Sequence, residues 1–298
     1  MRDQPVCPVC RGEVRLWAEG NVSARQFFSA AEPYAIAAGA RLRLPIYVCV
    51  ECGHGMSPLD VDPGVVAEWY AEAKLDHMFL AGERARRLTA RAVLRRMASL
   101  RHVPGSLLDV GAGPGIFVSE AARAGWQAYG LEPAAWAVHH GRDAFNVSMI
   151  KGDLLSPLDL PGKPFNVVTM FDVVEHAAEP LTLLRSAATV LRPGGLLVLT
   201  TPRFDSLLAR ILGRHWYCIF PAHLQYFTSN SLQLALAAAG FDVVKRLGHT
   251  RCVSWQYGWR RLCAWLVDGA WPASSRGARA MSIPVNFGDE FEVYARKR

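Results

Sequence analysis

The sequence predicts an α/β protein whose sheet is mostly parallel and doubly wound. Between residues 107 and 201, short apolar segments alternate with amphipathic ones, which is typical of strands that alternate with helices. Residues 107–115 read Leu-Leu-Asp-Val-Gly-Ala-Gly-Pro-Gly, an apolar run that leads directly into a glycine-rich turn. Of the 298 residues, 51% are hydrophobic and 20% are charged, so the chain is long and apolar enough for a well-packed core.

The glycine-rich turn is the centre of the predicted ligand site. Gly111, Gly113 and Gly115 turn the chain from a buried strand into a helix that begins near Ile116. We interpret the glycines as positions where a ligand contacts the backbone, because any Cβ atom would hold it away. The dinucleotide pattern G-x-G-x-x-G is not met, since Ile116 and Val118 stand where its last glycine would fall. The alternative is a nucleotide-binding fold in which the glycine turn is accidental.

Two C-x-x-C pairs near the N-terminus predict a metal site. The four cysteines of these pairs are Cys7, Cys10, Cys49 and Cys52. Four thiolates from two tight turns suit a tetrahedral zinc ion, and a closed site of this kind is structural rather than catalytic. A redox-active C-x-x-C is the alternative, and His54 is a less favoured substitute ligand. We assign residues 1–60 to this zinc-binding module, with a small helical or hairpin excursion at residues 20–40.

The rest of the chain is predicted in order from its apolar periodicity and from the glycines and prolines that delimit each element. Helices are expected at residues 65–70, 84–101, 117–124, 134–144 and 180–191. Strands are expected at residues 107–110, 127–131, 147–151, 167–171, 196–201 and 287–296. We assign residues 61–104 to a linker with a helical cap. Residues 105–298 form the main domain, in which residues 203–230 are a lid over one edge of the sheet.

The helix at residues 84–101 carries a cluster of arginines and much of the net charge of +7. Leu88, Ala92 and Leu100 are expected to face inward and the arginines outward. We interpret the cluster as a solvated helix face. An anionic partner is the alternative, although the cluster lacks the interleaved aromatic residues that stack on nucleic-acid bases.

Residues 251–283 are expected to form a helical insertion before the last strand. Four apolar residues fall on one helical stripe, namely Trp255, Trp259, Leu262 and Leu266. The stripe suits a helix packed on its own domain. Three alternatives are a dimer contact, a cover over an apolar substrate, and peripheral membrane contact through residues 255–271.

The run from residue 107 to residue 202 resembles the class I S-adenosylmethionine-dependent methyltransferases, which have a Rossmann-like fold. Five segments match in order and spacing: residues 107–115, 129–133, 152–154, 165–176 and 191–202. The resemblance implies a seven-stranded sheet whose last strand is antiparallel at the sheet edge. It also implies S-adenosylmethionine as the cofactor. The residues expected to contact it are Asp109, Gly111, Ala112, Gly113, Gly115, Glu132, Pro133, Asp153, Leu154, Phe171 and Asp172.

The resemblance also gives several of these residues a role. The three glycines would face the methionine part of the cofactor, Asp153 and Leu154 the adenine, and Phe171 would line the pocket. Glu132 would hold the ribose, and its place beyond the glycine turn suits an acid that accepts bonds from ribose hydroxyls. The alternative for Glu132 is a helix-capping role before Pro133. Asp109 is expected to fix the glycine loop rather than to react.

Candidate catalytic residues follow the strand at residues 167–171 or lie in the lid. They are His223, His176, Tyr226 and Asp172. Ligands of a doubly wound sheet bind beyond the carboxyl ends of its strands, which is where these residues are expected to meet. His223 is the first candidate base, because histidine titrates near neutral pH. The alternative is a packing or hydrogen-bonding role in the lid, and His176 is expected mostly to brace its loop.

The zinc-binding module, Trp69-Tyr70 and the lid segment at residues 215–228 look like parts of methyltransferases of bacterial natural-product and surface-polysaccharide pathways. The expected function is methyl transfer by in-line displacement to a small-molecule acceptor, either a sugar, a lipid-linked intermediate or a natural-product intermediate. One alternative is an RNA methyltransferase that uses the zinc-binding module and the arginines. Nucleic acid is not favoured, because an Asn/Asp-Pro-Pro-Tyr motif is missing after Phe171. The other alternative is a non-catalytic scaffold that keeps the cofactor-binding fold.

Compartment is predicted from two features that the sequence lacks. No apolar stretch approaches the roughly 18 residues that span a bilayer, and the N-terminus has no apolar segment typical of a signal peptide. We therefore expect a cytoplasmic protein, in which cysteines bind metal rather than form disulfides. The identity of the acceptor, the methylated atom and the oligomeric state are not predicted.

Overall fold

The computed structural model describes residues 5–29, 42–72, 82–100, 104–156, 159–254 and 281–298. Its strands are β1 (Val14–Ala18), β2 (Ile46–Cys49), β3 (Gly55–Met56), β4 (Ser106–Val110), β5 (Gln127–Glu132), β6 (Ser148–Lys151), β7 (Phe165–Phe171), β8 (Leu191–Pro202), β9 (Gln225–Tyr226), β10 (Phe241–Gly248), β11 (Arg251–Ser254), β12 (Ser282–Val285) and β13 (Glu290–Lys297). Its α-helices are α1 (Ala24–Phe28), α2 (Pro63–Glu72), α3 (Glu83–Ser99), α4 (Ile116–Arg123), α5 (Ala135–Phe145), α6 (Pro180–Val190), α7 (Leu207–Leu212) and α8 (Ser229–Ala238). Short 3₁₀ helices occur at Val174–His176 and Gly213–His215.

The central sheet has seven strands in the order β10-β13-β8-β7-β4-β5-β6. The strands from β8 to β6 are parallel, and β13 is antiparallel to both of its neighbours. The predicted Rossmann-like, mostly parallel sheet is therefore confirmed. The last strand is antiparallel as expected, but its predicted place at the sheet edge is wrong. It lies between β8 and β10 because its side chains are buried from Phe291 to Ala295, whereas β10 is largely exposed and takes the edge.

Both faces of the sheet are covered, which explains why its strands are continuous apolar runs. Successive residues of one strand point to opposite faces. Leu107 packs with side chains of α3 and α4, whereas Leu108 packs with those of α6 and α8. The same alternation occurs at Val167 and Val168 in β7. Each of these fully buried side chains contributes about 1.5–3 kcal/mol to folding.

The arginine-rich helix α3 differs from its predicted orientation. Its buried residues are Ala85, Ala90, Val93, Leu94 and Met97, and the three residues expected inward, Leu88, Ala92 and Leu100, are only half-buried. The prediction that the arginines form a solvated face is wrong for Arg87 and Arg96. Their side chains are 14% and 26% exposed and form ion pairs with buried glutamates. The helix face that carries Arg87 and Arg96 therefore packs against the protein, where the two glutamates lie.

Several predicted boundaries also change. The helical insertion at residues 251–283 begins and ends as strands, since β11 and β12 pair antiparallel. Residues 255–280, with the predicted apolar stripe and the membrane contact at 255–271, lie outside the described residues. Strand β8 begins at Leu191, before the Pro-Gly-Gly segment that was expected to precede it. In the part of the chain that the structure describes, no helix is long and apolar enough to cross a bilayer.

A second sheet joins the N-terminal module to the lid. Its strand order is β1-β2-β3-β9, so that a lid strand completes it. The junction is tight, because a Cβ atom on Gly55 would lie 2.9 Å from the Cβ of Tyr226. The imidazole Nε2 of His54 also lies 2.9 Å from Oε1 of Gln225. The predicted module at residues 1–60 and the predicted lid thus share one sheet.

Candidate active site

The glycine-rich turn joins β4 to α4, and all three of its glycines have positive φ. The angles are 69° at Gly111, 52° at Gly113 and 80° at Gly115, a region that favours glycine. A Cβ atom on Gly111 would lie 2.6 Å from Cγ2 of Val173, and one on Gly115 would lie 3.1 Å from Sδ of Met149. Ligand contact at these two glycines stays a prediction. Backbone conformation and packing inside the protein already require glycine there.

Glu132 at the end of β5 holds this turn. Its Oε2 accepts a hydrogen bond from the N–H of Gly113 (2.8 Å), and its Oε1 accepts one from the N–H of Ala134 (3.0 Å) at the start of α5. Burial raises the pKa of the carboxyl, and the two N–H donors oppose this. The bond to Ala134 agrees with the alternative helix-capping role. Each carboxylate oxygen keeps a second lone pair, so the ribose contact stays a prediction.

Asp109 lies between strands rather than at the turn. Its carboxylate is 3% exposed and accepts a hydrogen bond from Oγ1 of Thr169 on β7 (2.6 Å). Burial raises its pKa to about 7. The backbone N–H groups of Gly111 and Ala112 are bound instead by the carbonyl of Leu131, at 2.8 and 3.2 Å. The described hydrogen bonds thus give the loop-fixing role, expected of Asp109, to Leu131 and Glu132.

The residues expected to contact adenine, Asp153 and Leu154, follow β6, and Phe171, expected to line the pocket, ends β7. Oδ1 of Asp153 accepts hydrogen bonds from two backbone N–H groups that follow it, each at 2.8 Å, which shapes the turn after β6. Leu154 is buried beside it. The half-buried ring of Phe171 packs edge to face on Phe117, with centroids 4.7 Å apart. These residues therefore lie at the same edge of the sheet as the glycine turn, with half-buried Pro133 after β5.

Asp172 is bound in an ion pair that the sequence did not predict. Its Oδ1 accepts hydrogen bonds from Nη2 of Arg251 (2.6 Å) and Oγ1 of Thr200 (3.0 Å). Burial alone would raise the pKa of Asp172, but the charge of Arg251 lowers it well below its usual range. An ion-paired carboxylate with a low pKa is a weak base. The geometry therefore favours a structural role for Asp172 over the predicted catalytic one.

His176 and His223 lie together, with ring centroids 4.8 Å apart. Nδ1 of His176 lies 2.8 Å from the carbonyl of Ala222 and 2.7 Å from the hydroxyl of Tyr70. Nδ1 of His223 lies 2.9 Å from the carbonyl of Cys218. Since a carbonyl only accepts, we assign the proton of each ring to Nδ1, which leaves the lone pair on Nε2.

Burial lowers the pKa of both histidines, and that of His223 falls to about 3. Both rings are therefore neutral at pH 7, and His223 is a weaker base than its residue type suggests. His176 braces the lid through Ala222, as expected. Tyr226 is 2% exposed and donates its hydroxyl to the carbonyl of Phe220 (3.3 Å), and burial raises its pKa. Its hydroxyl is thus directed at lid backbone, which does not favour the predicted catalytic role.

Two residues that shape this site, Tyr70 and Arg251, are not among the predicted site residues. Tyr70 of α2 forms a hydrogen bond with His176, which is 106 residues away in the sequence. Arg251 forms an ion pair with Asp172, which is 79 residues away. The Trp-Tyr pair in the predicted helix at 65–70 was a usable signal for Tyr70. Arg251 gave no signal, because it stands alone at the start of the predicted helical insertion.

The four predicted metal ligands come together. Sγ of Cys7 lies 3.6 Å from that of Cys52, Sγ of Cys10 lies 3.4 Å from that of Cys49, and all four lie within 4.8 Å of one another. A tetrahedron with metal–sulfur bonds of about 2.3 Å has edges of about 3.8 Å, close to these distances. The nearest sulfurs belong to different C-x-x-C pairs, which does not favour the redox alternative. Burial raises the pKa of Cys7 to about 11, and a bound cation would supply the charge that ionises such thiols.

Comparison with known proteins identifies the class of this protein. Residues 81–246, more than half of the chain, match the family model described as "Methyltransferase domain". The chain belongs to the methyltransferase-domain family. The predicted class, a methyltransferase dependent on S-adenosylmethionine, is thereby confirmed at the level of the family.

Relatives of this chain include ubiquinone biosynthesis O-methyltransferases. The protein of that name from Cereibacter sphaeroides is 29% identical over 163 residues, which cover 51% of this chain and 66% of the relative. The one from Ruegeria pomeroyi is 30% identical over the same shares of both chains. The chain thus spans just under two thirds of the length of these relatives.

Two solved structures share the fold. Magnesium protoporphyrin IX methyltransferase from Synechocystis, with bound S-adenosylhomocysteine, superposes with a TM-score of 0.51 at 15% identity, covering 80% of this chain and 100% of that one. The 1,6-didemethyltoxoflavin-N1-methyltransferase from Burkholderia thailandensis has a TM-score of 0.50 at 17% identity, covering 83% and 97%. At these identities the similarity concerns the fold.

Proposed function

We propose that this chain transfers the methyl group of S-adenosylmethionine to an oxygen atom of a small-molecule acceptor. One observation carries the proposal. The carboxylate of Glu132 bridges the N–H of Gly113 and the N–H of Ala134, at the carboxyl ends of β4 and β5. Ligands of a doubly wound sheet bind at this edge. The names of the relatives, which are O-methyltransferases, support oxygen as the methylated atom.

The residues at this edge fit the cofactor. Glu132 keeps an acceptor lone pair on each oxygen for the ribose hydroxyls, and Leu154 offers a buried apolar surface to the adenine. Asp153 lies beside Leu154 with a carboxylate that can accept a bond from the adenine amino group. When bound, S-adenosylmethionine supplies an electrophilic methyl group. The work of the protein is then to align the acceptor with that group and to exclude water.

The contacts of the lid support its proposed part in excluding water. Its strand β9 pairs with β3, and its backbone carbonyls bind His176 and His223. His223 remains the first candidate for a group that acts on the acceptor, because the assigned tautomer leaves a lone pair on its Nε2. The acceptor classes that the sequence suggested, a sugar, a lipid-linked or a natural-product intermediate, all offer a hydroxyl.

We also infer that the four thiolates bind a zinc ion with a structural role. Four sulfur ligands close the tetrahedral shell and leave no position for water. His54 is not needed as a ligand, because the four cysteines already supply a tetrahedral set. Cys49 is the last residue of β2 and Cys52 lies between β2 and β3, so the ion would support the sheet that carries the lid strand.

The RNA alternative is less favoured by the structure. It required the arginines of α3 to face a polyanion, but Arg87 and Arg91 bind Glu120, and Arg96 binds Glu292. A gel-shift series at increasing salt tests the alternative, since phosphate binding weakens steeply with salt. A complex with RNA that forms at low salt and disappears at high salt would support it.

Calorimetry with S-adenosylmethionine tests the proposal. We expect saturable binding to the full chain and an affinity about 10–100-fold weaker for Glu132→Gln, because hydrogen bonds to a charged group are worth about 1.5–3 kcal/mol. Glu68→Gln on the exposed face of α2 is the matched control and should bind like the parent protein. Absence of binding by the parent protein would favour the non-catalytic scaffold. Unchanged affinity of Glu132→Gln would leave Glu132 with its capping role alone.

A further inference from the structure

A second group of side chains that could hold a metal ion lies between the end of β7 and the lid. Glu175 and His176 belong to the 3₁₀ helix after β7, and His223 comes from the lid. One ring nitrogen from each histidine and one carboxylate oxygen all lie within 4.8 Å of one another. Two imidazoles and one carboxylate form a ligand set that leaves coordination positions open.

The hydrogen bonds around both histidines match those of metal-bound histidines. A metal-ligating imidazole donates its other N–H to a carbonyl or carboxylate, which fixes the ring and its tautomer. Nδ1 of His176 is bound to the carbonyl of Ala222, and Nδ1 of His223 to that of Cys218. Both rings are neutral and half-buried, and the assigned tautomer leaves each Nε2 with a lone pair for a ligand.

Glu175 supplies the independent observation. Its side chain is 1% exposed, and its Oε2 accepts a hydrogen bond from Oγ1 of Thr201 (3.0 Å). Its Oε1 is buried and has no hydrogen-bond partner among the described residues. A buried carboxylate oxygen without a hydrogen-bond partner destabilises the folded protein. The nearby negative charge of Asp172 increases this destabilisation. A cation at the two imidazoles would satisfy this oxygen.

We infer that Glu175, His176 and His223 bind a divalent transition-metal ion that holds the acceptor oxygen. The role of the ion in methyl transfer rests on the proposed function, whereas the choice of its three protein ligands does not. It is separate from the cysteine site, since its ligands are nitrogen and oxygen and its shell is open. An open shell suits a catalytic ion, and neutral imidazoles suit zinc and the neighbouring first-row metals.

The bound ion would make a strong protein base unnecessary, since His223 is a weak one. An acceptor hydroxyl that coordinates the cation has a lowered pKa and releases its proton to bulk water. A lone pair of the resulting oxyanion forms the bond to the methyl carbon. The carbon–sulfur bond breaks at the same time, its electron pair stays on sulfur, and the products are the methyl ether and S-adenosylhomocysteine.

Cobalt titration of the full chain, freed of metal, tests the inference. We expect two ions per chain, one with the thiolate-to-metal charge-transfer absorption of a sulfur site and one without it. His223→Ala and Glu175→Gln should weaken the second ion at least about tenfold while the thiolate band is unchanged. Cys49→Ser should remove the thiolate band and keep the second ion. His139→Ala, an exposed histidine on α5, is the matched control and should bind two ions.

Two results would overturn the inference: a single ion per chain that resides on the thiolates, or full retention of two ions by His223→Ala and Glu175→Gln. A loss of turnover in His223→Ala without any loss of metal would instead make His223 a base. Calorimetry with S-adenosylmethionine separates this outcome from the proposed function. Cofactor binding with one ion overturns only the metal site, whereas two ions without cofactor binding overturn only the proposed function.

Discussion

Gly111 shows at the scale of one residue how the turn depends on two separate constraints. Its φ of 69° disfavours any side chain, and a Cβ atom there would lie 2.6 Å from Cγ2 of Val173. Gly194 has nearly the same φ, 70°, but a Cβ atom there would meet no atom of the described residues within 4 Å. Alanine substitutions at these two glycines therefore distinguish the destabilisation due to backbone conformation from that due to the steric clash with Val173.

We expect Gly194→Ala to lower the free energy of unfolding by about 1 kcal/mol, from backbone conformation alone. Gly111→Ala should cost about 3 kcal/mol, because overpacking adds to the same conformational cost. Urea denaturation measures both values. Val173→Ala combined with Gly111→Ala should recover part of the loss. Equal effects of the two alanine variants would show that Val173 moves aside freely.

Residues adjacent in a local pattern were predictable, and those that meet across the fold were not. The glycine turn and Glu132 follow from spacing, because both lie in one strand-turn-helix unit and its neighbour. The contacts of Tyr70 with His176 and of Arg251 with Asp172 depend on how distant segments fold together. The pKa of His223 is a further example, since its low value arises from burial that the sequence does not reveal.

At the scale of elements, α3 is fixed to α4 by a buried carboxylate. Glu120 is 3% exposed and lies 2.5 Å from Nη1 of Arg87 and 2.6 Å from Nε of Arg91. The apolar pattern of α3 predicted a helix with its boundaries nearly right, but not this orientation. A periodic pattern identifies an apolar face, and it does not show which arginines have an acid opposite them.

We expect Glu120→Gln to lower the free energy of unfolding by about 3 kcal/mol, because half-buried Arg87 loses its buried charged partner and keeps only the more exposed Glu83. Glu83→Gln is the matched control, since Glu83 is 40% exposed and also binds Arg87. Its effect should be within about 0.5 kcal/mol, as for an exposed pair. Chemical denaturation of both variants checks this. A similar small effect for Glu120→Gln would mean that α3 is held by apolar packing alone.

A second buried carboxylate joins α3 to β13 and predicts how stability depends on pH. Glu292 is bound by Nε of Arg96 (2.5 Å) and by Nδ1 of His249 (2.7 Å). Burial would raise its pKa, but the hydrogen bonds from His249 and Arg96 outweigh this and lower it to about 2. Because the pKa of the folded state is depressed, the stabilisation is present above the unfolded pKa and is lost as pH falls.

We therefore expect the free energy of unfolding to decrease by about 3 kcal/mol on account of Glu292 between pH of about 4.5 and about 2. Glu292→Gln should remove this part of the pH dependence and lower stability near neutral pH. Urea denaturation at a series of pH values measures it, with Glu68→Gln as the exposed control. An identical acid slope in Glu292→Gln and the parent protein would contradict the assignment.

At the scale of the whole molecule, the N-terminal module and the lid are one structural unit. Strand β9 of the lid completes the sheet of β1, β2 and β3, and Oγ1 of Thr228 donates to the carbonyl of Cys52 (3.1 Å). The sequence indicated both parts, but local patterns cannot reveal that a two-residue strand pairs with a partner so far away. The loop that carries Cys52 thus contacts the lid just after β9.

This connection predicts that metal at the cysteine cluster controls turnover more than cofactor binding. Cys49→Ser should lower the metal content by one ion per chain and loosen β2, β3 and β9, which hold the lid. We expect turnover to fall at least about tenfold, since small displacements of positioning groups have effects of this size or larger. Affinity for S-adenosylmethionine should stay within about twofold, because Glu132 and the glycine turn lie on the central sheet and hold their geometry without the module.

Elemental analysis, turnover and calorimetry on the same preparation check the three parts of this prediction. Cys252→Ser on β11 is the matched control, because Cys252 lies outside the cluster and should leave all three quantities unchanged. Full turnover without the ion would show that the lid holds its position through β9 and Gln225 alone. An equal loss of cofactor affinity would show that the module supports the whole fold. Only a selective loss of turnover assigns the cysteine cluster to the geometry of the acceptor side.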